Sequence, residues 1–562
     1  MTPAAIPIAG ARGATGTPDR APIRGKTGFW RGLRPTGHEL GAAALSGVLF
    51  AAAFPPFPGA ALILICLVPL AIGIARAADG GAPVSVAARL GAWFAIVAFG
   101  LALYWIAVAL SLFTSLAFLA YIATLIGMAA LVALTTTTLY HARRLTRWPV
   151  AILLPVAWVS LELLLAYFSD LAFPWFPLGL AMAPHPVFAQ AADLSGVHGL
   201  SLWIAATNGL LADAWLAAMP SVASATSAVR RRAPIGRTAI IAPVAIALAL
   251  AGGVWAYGAW RLRTVVLAPL ARIGIVQPNI SEDEKMQREM RGRFIVPLAA
   301  LTREAEAHER PALMLWPETA LPDFLVNRPD WRDSLRALTR DAHTPILFGV
   351  IDYTVTGPGP QDYDYFNAAM LVDSAGRIGT QPAYHKKYLV PIVERVPFLN
   401  PRWFSGIQYF GGFGRGTSAR PFELPFGRVG VLICYESIFP QQSRRYRRAG
   451  ADLIVNLTND AWFGKGTAPY QHEAHLRLRA IETRVGVVRA ANTGISEYID
   501  PLGRTSGALP LFVPGTAIYD AQTTAIQSPY VVLGDWAGVA CAIATIALMA
   551  VVVVRRQRVT SG

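Results

Sequence analysis

Glu318, Lys386 and Cys434 are the residues in this 562-residue chain whose types and settings best suit chemistry. Cys434 ends the apolar run Val429-Gly430-Val431-Leu432-Ile433 and is followed by Tyr435-Glu436. A free thiol has a pKa near 8.5, so a nucleophilic cysteine needs activation at neutral pH. A nearby carboxylate can take its proton, and a cation can stabilise the oxyanion of a tetrahedral intermediate. Glu318 follows Leu315-Trp316-Pro317, and Lys386 lies within Tyr384-His385-Lys386-Lys387-Tyr388-Leu389-Val390-Pro391. Singly, each signal is weak: a cysteine ending a strand is more often packing, and Glu and Lys-Lys at turns are more often solvated. Three such residues at the ends of buried strands could meet on one rim, although spacing alone leaves that open.

The elements that would position them lie in residues 271–525. Strand-like runs at 272–277, 312–316, 345–351, 368–372, 428–434, 453–456 and 487–491 alternate with helical stretches at 283–308, 332–342, 440–449 and 471–483. Several runs are continuously apolar and bounded by turn residues, as in strands buried on both faces. The pattern is that of an α/β layered domain.

This domain is embedded in a chain of different character. Hydrophobic residues make up 54% of the sequence and charged residues 15%, with a mean hydropathy of +0.43. Ordinary soluble proteins carry about 25% charged residues, so the composition argues against both a soluble globular enzyme and a disordered chain. The apolar excess is concentrated in eight stretches, 38–54, 60–76, 88–112, 115–140, 149–167, 198–218, 238–258 and 531–554, each long enough to be read as a bilayer crossing of about 30 Å. The net charge of +15 follows those stretches rather than forming a nucleic-acid surface. Arginines cluster before the first, at Arg76, at Arg143, Arg144 and Arg147, at Arg230 to Arg232 and Arg237, and at Arg555, Arg556 and Arg558. Every even-numbered exit is basic, so both termini are expected in the cytoplasm and the α/β domain on the opposite side. The expected organisation is a disordered tail at 1–37, seven spans over 38–258, the soluble domain at 259–528, and an eighth span with a tail at 529–562. No cleavable leader is expected, because no short apolar segment with a cleavage site follows the basic start.

The three cysteines form no disulfide framework. Cys66 and Cys541 fall in apolar stretches and read as small hydrophobes, leaving Cys434 without a soluble thiol to pair with. Two features of the membrane part could matter to a site. Phe173-Pro174-Trp175-Phe176-Pro177 sits in the loop 168–197, where Trp175 is an interfacial anchor or a substrate contact. Glu162, within the fifth stretch, is an intramembrane carboxylate facing a bundle interior or bonded to a neighbouring helix. His472 and His475 stand three apart without a visible third ligand, so no metal is expected. The run Gly411-Gly412-Phe413-Gly414-Arg415-Gly416 lacks the context of a phosphate loop and reads as a flexible segment.

Trp316-Pro317-Glu318, Tyr384 through Pro391 and Ile433-Cys434-Tyr435-Glu436 resemble, in order, the three signatures of the nitrilase superfamily. Asn459-Asp460-Ala461-Trp462-Phe463-Gly464, Tyr470-Gln471-His472, Arg479 to Arg484 and Arg489 to Ser496, with eight spans, narrow the resemblance to the membrane-bound apolipoprotein N-acyltransferase family over about residues 40 to 555. The resemblance implies an eight-span helical membrane bundle joined to an α-β-β-α sandwich in the periplasm of the bacterial inner membrane. It implies a ping-pong transfer of a phospholipid sn-1 acyl chain, through a thioester on Cys434, to the amine of a diacylglyceryl-cysteine apolipoprotein. Glu318 would be the general base and Lys386 the oxyanion cation, with Glu394, Tyr435 and Glu436 in support. Substrate contacts would fall to Met286, Trp462, Trp175 and Glu162. No cofactor, metal or nucleic acid is called for, and the chain is expected to act as a monomer.

The sequence departs from the family pattern at three places. Met286 stands where the family has Trp, Val393 precedes Glu394 where it has Gly, and Leu163 follows Glu162 where it has Arg. Two rival readings are a membrane-tethered amidase that hydrolyses the thioester with water and a non-catalytic membrane scaffold.

Overall fold

The computed structural model describes residues 37–111, 117–219, 237–287, 292–359, 362–400 and 412–560. The expected N-terminal tail, the basic residues Arg230 to Arg232, and Gly411 lie outside these.

The apolar stretches form helices because uninterrupted backbone hydrogen bonding is what lets a chain cross lipid. They are α1 (Gly37–Ala52), a 3-10 turn (Ala60–Leu64) running into α2 (Val68–Asp79), α3 (Ser85–Ala102), α4 (Trp105–Ser111), α5 (Ala117–Thr146), α6 (Val150–Tyr167), α7 (Ala192–Ala218), α8 (Thr238–Thr264) and a C-terminal helix (Trp536–Thr560). Among the described residues, seven helical stretches are long and apolar enough to cross a membrane, from Ala60–Asp79 to Trp536–Arg555. The eighth expected crossing is α1, whose 16 residues reach about 24 Å at 1.5 Å per residue. Helices α1, α3 and α5 pack in series, as do α6, α7 and α8, and the C-terminal helix closes against α6.

One expected span is broken and another is extended through a kink, for reasons visible in their packing. The stretch 88–112 divides after Ala102, where Trp105 turns its ring against Trp175 (4.5 Å between centroids) and Phe463 (5.0 Å). The stretch 198–218 begins earlier, at Ala192, and kinks at Ser195 and Gly196 (φ 73°). A Cβ at Gly196 would lie 2.7 Å from the Tyr530 ring, so glycine serves both the backbone angle and the close approach.

The α/β domain is a sandwich of two sheets. The first runs β13-β1-β2-β4-β5-β6 with β3 beside β4, and the second β12-β11-β10-β9-β8-β7. Their strands are β1 (Ala268–Gln277), β2 (Leu313–Leu315), β3 (Leu321–Phe324), β4 (Ile346–Val355), β5 (Tyr363–Val372), β6 (Tyr384–His385), β7 (Phe422–Leu424), β8 (Gly427–Ile433), β9 (Leu453–Thr458), β10 (Gly486–Ala491), β11 (Ser496–Ile499), β12 (Thr505–Leu509) and β13 (Gly515–Thr523). The helices are α9 (Glu282–Met286), α10 (Ile295–His308), α11 (Pro329–Ala342), α12 (Pro440–Arg448) and α13 (Ala468–Thr483). Period-two alternation sends Leu313 and Leu315 into the core between the sheets and Met314 and Trp316 to the outer face, against Leu298, Trp331 and Leu335 of α10 and α11. On α13, Leu476 and Ala480 face the second sheet, while Leu478 and Ile481 join the core of the membrane bundle. Fully burying each such leucine contributes about 1.5–3 kcal/mol, so α13 is shared by both halves of the molecule.

The expected helix 283–308 is two helices. A capping box between Ser281 and Glu284 starts α9, and Gln287 (φ −79°, ψ 115°) ends it. Strands β3, β6, β7, β11, β12 and β13 lack the long apolar run that marks the others; Gly507 (φ 64°) sits inside β12.

A buried polar seam fixes the domain on the bundle. Arg484 reaches Asp193 Oδ2 at 2.5 Å and Gln190 Oε1 at 2.6 Å, and Arg261 reaches the same Asp193 oxygen at 2.7 Å. Glu482 accepts from Val197 N at 2.8 Å, and His198 lies 2.5 Å from Asp535. The loop expected over 168–197 is thus largely packed structure.

Candidate active site

The central strands β1, β2 and β4 of one sheet, and β8, β9 and β10 of the other, are parallel. Their C-terminal ends therefore face one way, and residues emerging there converge, as in other open α/β sheets. Glu318 follows β2, Cys434 follows β8 and Asn459 follows β9, while Lys386 leaves β6.

Close backbone packing holds the first of these in place. Gly349 in β4 lies under the Pro317–Thr319 turn; a Cβ there would meet Pro317 O and come within 2.7 Å of Glu318 Cα. Cys434 has φ +48° and opens a 3-10 turn, Cys434–Ile438. A left-handed non-glycine residue is strained, and the turn aims the side chain off the strand end. Glu436 holds it: Oε2 accepts from Ile433 N at 2.8 Å, and Oε1 from Tyr384 OH and Lys387 N, each at 2.7 Å. The His472 ring lies 3.1 Å from Cys434 O and 3.1 Å from Asp460 Oδ1, and Arg489 donates to Asp460 Oδ2 at 2.5 Å.

Lys386 is 1% exposed and lies between two carboxylates, donating to Glu318 Oε1 at 3.1 Å and Glu394 Oε1 at 2.9 Å. Asn367 Nδ2 bridges the same two oxygens at 2.7 and 3.0 Å. The other oxygens accept main-chain donors, Glu318 Oε2 from Asn459 N at 3.0 Å and Glu394 Oε2 from Val390 N at 2.8 Å. Both carboxylates are therefore fully engaged, as buried charges must be.

The electrostatics follow from burial and these partners. Burial opposes the charge on Lys386, but Glu318 and Glu394 outweigh it and raise the ammonium's pKa. Burial, then the charge on Glu318, push the Cys434 thiol far up, with Lys386 pulling the other way. Burial lifts Glu436 to about 7 against the hydrogen bonds from Ile433, Tyr384 and Lys387. For Asp460 burial acts upward, yet Arg489 and His472 prevail and hold it down at about 2. The site thus has a fixed cation, an engaged carboxylate and a protonated thiol, 7% exposed, within one another's fields.

The expected residues Glu318, Lys386, Glu394, Cys434 and Glu436 come together. Tyr435 leaves toward the bundle, donating to Ala172 O at 2.8 Å. Trp175 is 1% exposed and packs against Trp105, Phe173 and the His472 ring, with Nε1 donating to Gln471 at 3.0 Å. It is a covered buttress beneath the site and not an exposed interfacial anchor. Glu162 accepts from Trp158 Nε1 at 3.1 Å and from Leu178 N at 2.8 Å, fastening the far end of the Trp175 segment. Trp462 is half-buried on the 3-10 turn Asp460–Phe463 after β9. Met286 ends α9, and its side chain lies outside the described residues. His475 is engaged with Trp175 O at 3.0 Å. Asn367 and Glu282 were not anticipated. The signal for Asn367 was a lone amide before the apolar run 368–372; for Glu282 it was an acidic residue opening a capped helix.

Residues 272–529 match the carbon-nitrogen hydrolase family, and residues 46–210 match the apolipoprotein N-acyltransferase N-terminal domain. The apolipoprotein N-acyltransferase of Geobacter metallireducens is 31% identical over 525 residues, 92% of this chain and 95% of its own. That of Brucella melitensis biotype 1 is 31% identical over 498 residues, 86% and 87% of the two chains. Among solved structures, an amidase from Nesterenkonia sp. aligns 93% of its chain with 46% of this one at 18% identity and a TM-score of 0.34. Related over most of its length to proteins named apolipoprotein N-acyltransferase, the chain belongs to the apolipoprotein N-acyltransferase family.

Proposed function

We propose that acyl transfer proceeds in two steps through a thioester on Cys434, with Glu318 as general base and Lys386 as oxyanion cation. The observation that carries this reading is the Lys386 ammonium, bound at 3.1 Å to Glu318 and 2.9 Å to Glu394 beside a strained Cys434. The thiol is protonated at neutral pH, so its proton has to leave as the sulfur attacks. Glu318 accepts that proton while an S–C bond forms to the sn-1 carbonyl of a phospholipid. The ester C–O bond then breaks, and Glu318 returns the proton to the departing lysophospholipid oxygen. In the second step the free amine of a diacylglyceryl-cysteine apolipoprotein forms an N–C bond, the S–C bond breaks, and the amine's proton passes through Glu318 to the sulfur. Lys386 faces the negative oxygen of both tetrahedral intermediates. Glu394 and Asn367 hold Lys386 and Glu318 in register, and Glu436 holds the turn that carries Cys434.

Both substrates are anchored in lipid, and a catalytic domain tied to spans at both ends meets them by lateral diffusion. The basic span exits favour cytoplasmic termini and a periplasmic domain in the inner membrane. Incubating the purified protein with a labelled phospholipid and a diacylated lipopeptide tests this. The expected products are lysophospholipid and a lipopeptide heavier by one acyl chain. Free fatty acid released at the same rate with and without the amine would instead make the protein a hydrolase.

A further inference from the structure

Lys285 is 7% exposed, and among the described residues its ammonium has no hydrogen-bond partner. An ammonium carries three donors, and leaving them unmet in a buried setting is costly. Other buried cations of this domain do find acceptors: Lys386 has two carboxylates, Arg489 has Asp460 and Asn456, and Arg484 has Asp193 and Gln190. Lys285 has an obvious candidate one turn away, since residues three apart on a helix are neighbours. Glu282, however, turns its carboxylate to Asn459 Nδ2, at 3.1 and 3.2 Å. Asn459 in turn gives its main-chain N–H to Glu318 Oε2. Helix α9 thus stands on the Oε2 side of Glu318, across from Lys386, which occupies Oε1. The charges of Glu282 and Glu318 both act on Lys285, against burial.

We propose that Lys285 is a substrate-binding residue, whose ammonium takes a carbonyl or phosphate oxygen that a substrate brings into the site. The proposal rests on the acyl-transfer reading above. Both substrates carry such oxygens, the phospholipid in its esters and phosphate, the lipopeptide in its peptide and ester carbonyls. A lysine that waits without an acceptor supplies charge-assisted donors when the oxygen arrives. Its helix also stands, through Glu282 and Asn459, on the Oε2 side of Glu318, opposite Lys386.

The test uses the full-length protein in detergent, unmodified and as Lys285→Met and Lys285→Arg. Thioester formation from phospholipid and discharge of the preformed thioester to a diacylated lipopeptide are followed separately, with alkylation of Cys434 by iodoacetamide and the thermal midpoint as controls. Lys285→Met is expected to raise KM about tenfold or more in one half-reaction, with alkylation unchanged and the midpoint equal or higher, because an unpaired buried charge has gone. Lys285→Arg restores most of the loss. A loss in the donor arm places the oxygen on the phospholipid, and a loss in the acceptor arm places it on the lipopeptide. Unchanged KM in both arms overturns the proposal alone. So does a fall in alkylation parallel to the fall in acylation, or a lowered midpoint in Lys285→Met, each of which makes the lysine part of the scaffold. No thioester in the unmodified protein overturns the acyl-transfer reading and this one with it.

Discussion

Asn367 offers the sharpest test of how the charged cluster works, because its side-chain amide touches both carboxylates and no substrate role is assigned to it. Its Nδ2 donates to Glu318 Oε1 at 2.7 Å and Glu394 Oε1 at 3.0 Å. Hydrogen bonds to charged groups contribute about 1.5–3 kcal/mol each. Lys386 still bridges the same oxygens when the amide is removed, so Asn367→Ala loses part of that sum. A net cost of about 2 kcal/mol on thioester formation corresponds to about 30-fold in rate. Asn367→Asp is nearly the same shape, yet it would put a third negative charge about 3 Å from two others. At an effective dielectric of about 20, each contact costs roughly 5 kcal/mol, so the introduced carboxyl stays protonated near neutral pH. It then donates to one carboxylate and loses the other, and it ionises only as pH rises. Single-turnover formation of a hydroxylamine-sensitive adduct between pH 6 and 9 reads both effects. The alanine variant should be slow with the pH profile of the unmodified protein, and the aspartate variant slow at pH 7 and slower still at pH 9. An alanine variant within about twofold of the unmodified protein, or an aspartate variant that recovers at high pH, would refute the bridging role.

Other outcomes follow from single contacts. Gly349→Ala would push a Cβ into the backbone of Pro317, Glu318 and Thr319; acylation should fall about 100-fold through displacement of the base, while near-ultraviolet dichroism stays close to that of the unmodified protein. Asp460, held at about 2 in the fold, against an unfolded value near 3.9, contributes roughly 2 to 3 kcal/mol of stability above about pH 5 that is lost progressively as pH falls to 2 and below. Thermal midpoints from pH 6 down to 2 should show that slope, and Asp460→Asn should flatten it. Glu436→Gln puts an amide among four donors, from Ile433, Tyr384, Lys387 and Tyr388, and should lower kcat at least about tenfold with little change in KM. Arg484→Met leaves Asp193 with Arg261 and Tyr257 alone, and should cost about 3 kcal/mol, seen as a lower midpoint in detergent.

Glu318 and Cys434 were legible because parallel strands buried on both faces are continuous apolar runs, and each stands at or just past such a run. Lys386 leaves the two-residue strand β6 and Glu394 follows no strand, so they were legible through the resemblance of the segment around Tyr384–Pro391 rather than through an apolar run. Asn367 was hidden because it lies within β5, which extends five residues before the apolar stretch that marked it. Lys285 was hidden inside what reads as one long helix, and Glu282 just ahead of its expected start, since the capping box at Ser281 and the break at Gln287 carry little periodic signal. The span 88–112 was legible as a crossing but not as a broken helix, and 198–218 was legible without the kinked turn that precedes it. The break and the kink answer to Trp175, Phe463 and Tyr530, which come from distant parts of the chain. The polar seam of Asp193, Arg484, Glu482 and Asp535 was likewise beyond reach, because pairing across nearly 300 residues leaves no local trace.

The most direct test of the transfer mechanism is the mass of the Cys434 peptide after incubation with phospholipid alone and then with a diacylated lipopeptide. The expected result is a gain of one acyl chain on Cys434, removed by hydroxylamine, discharged onto the lipopeptide amine, and absent from Cys434→Ala. An acylated lipopeptide made at the same rate by Cys434→Ala would contradict a thioester route.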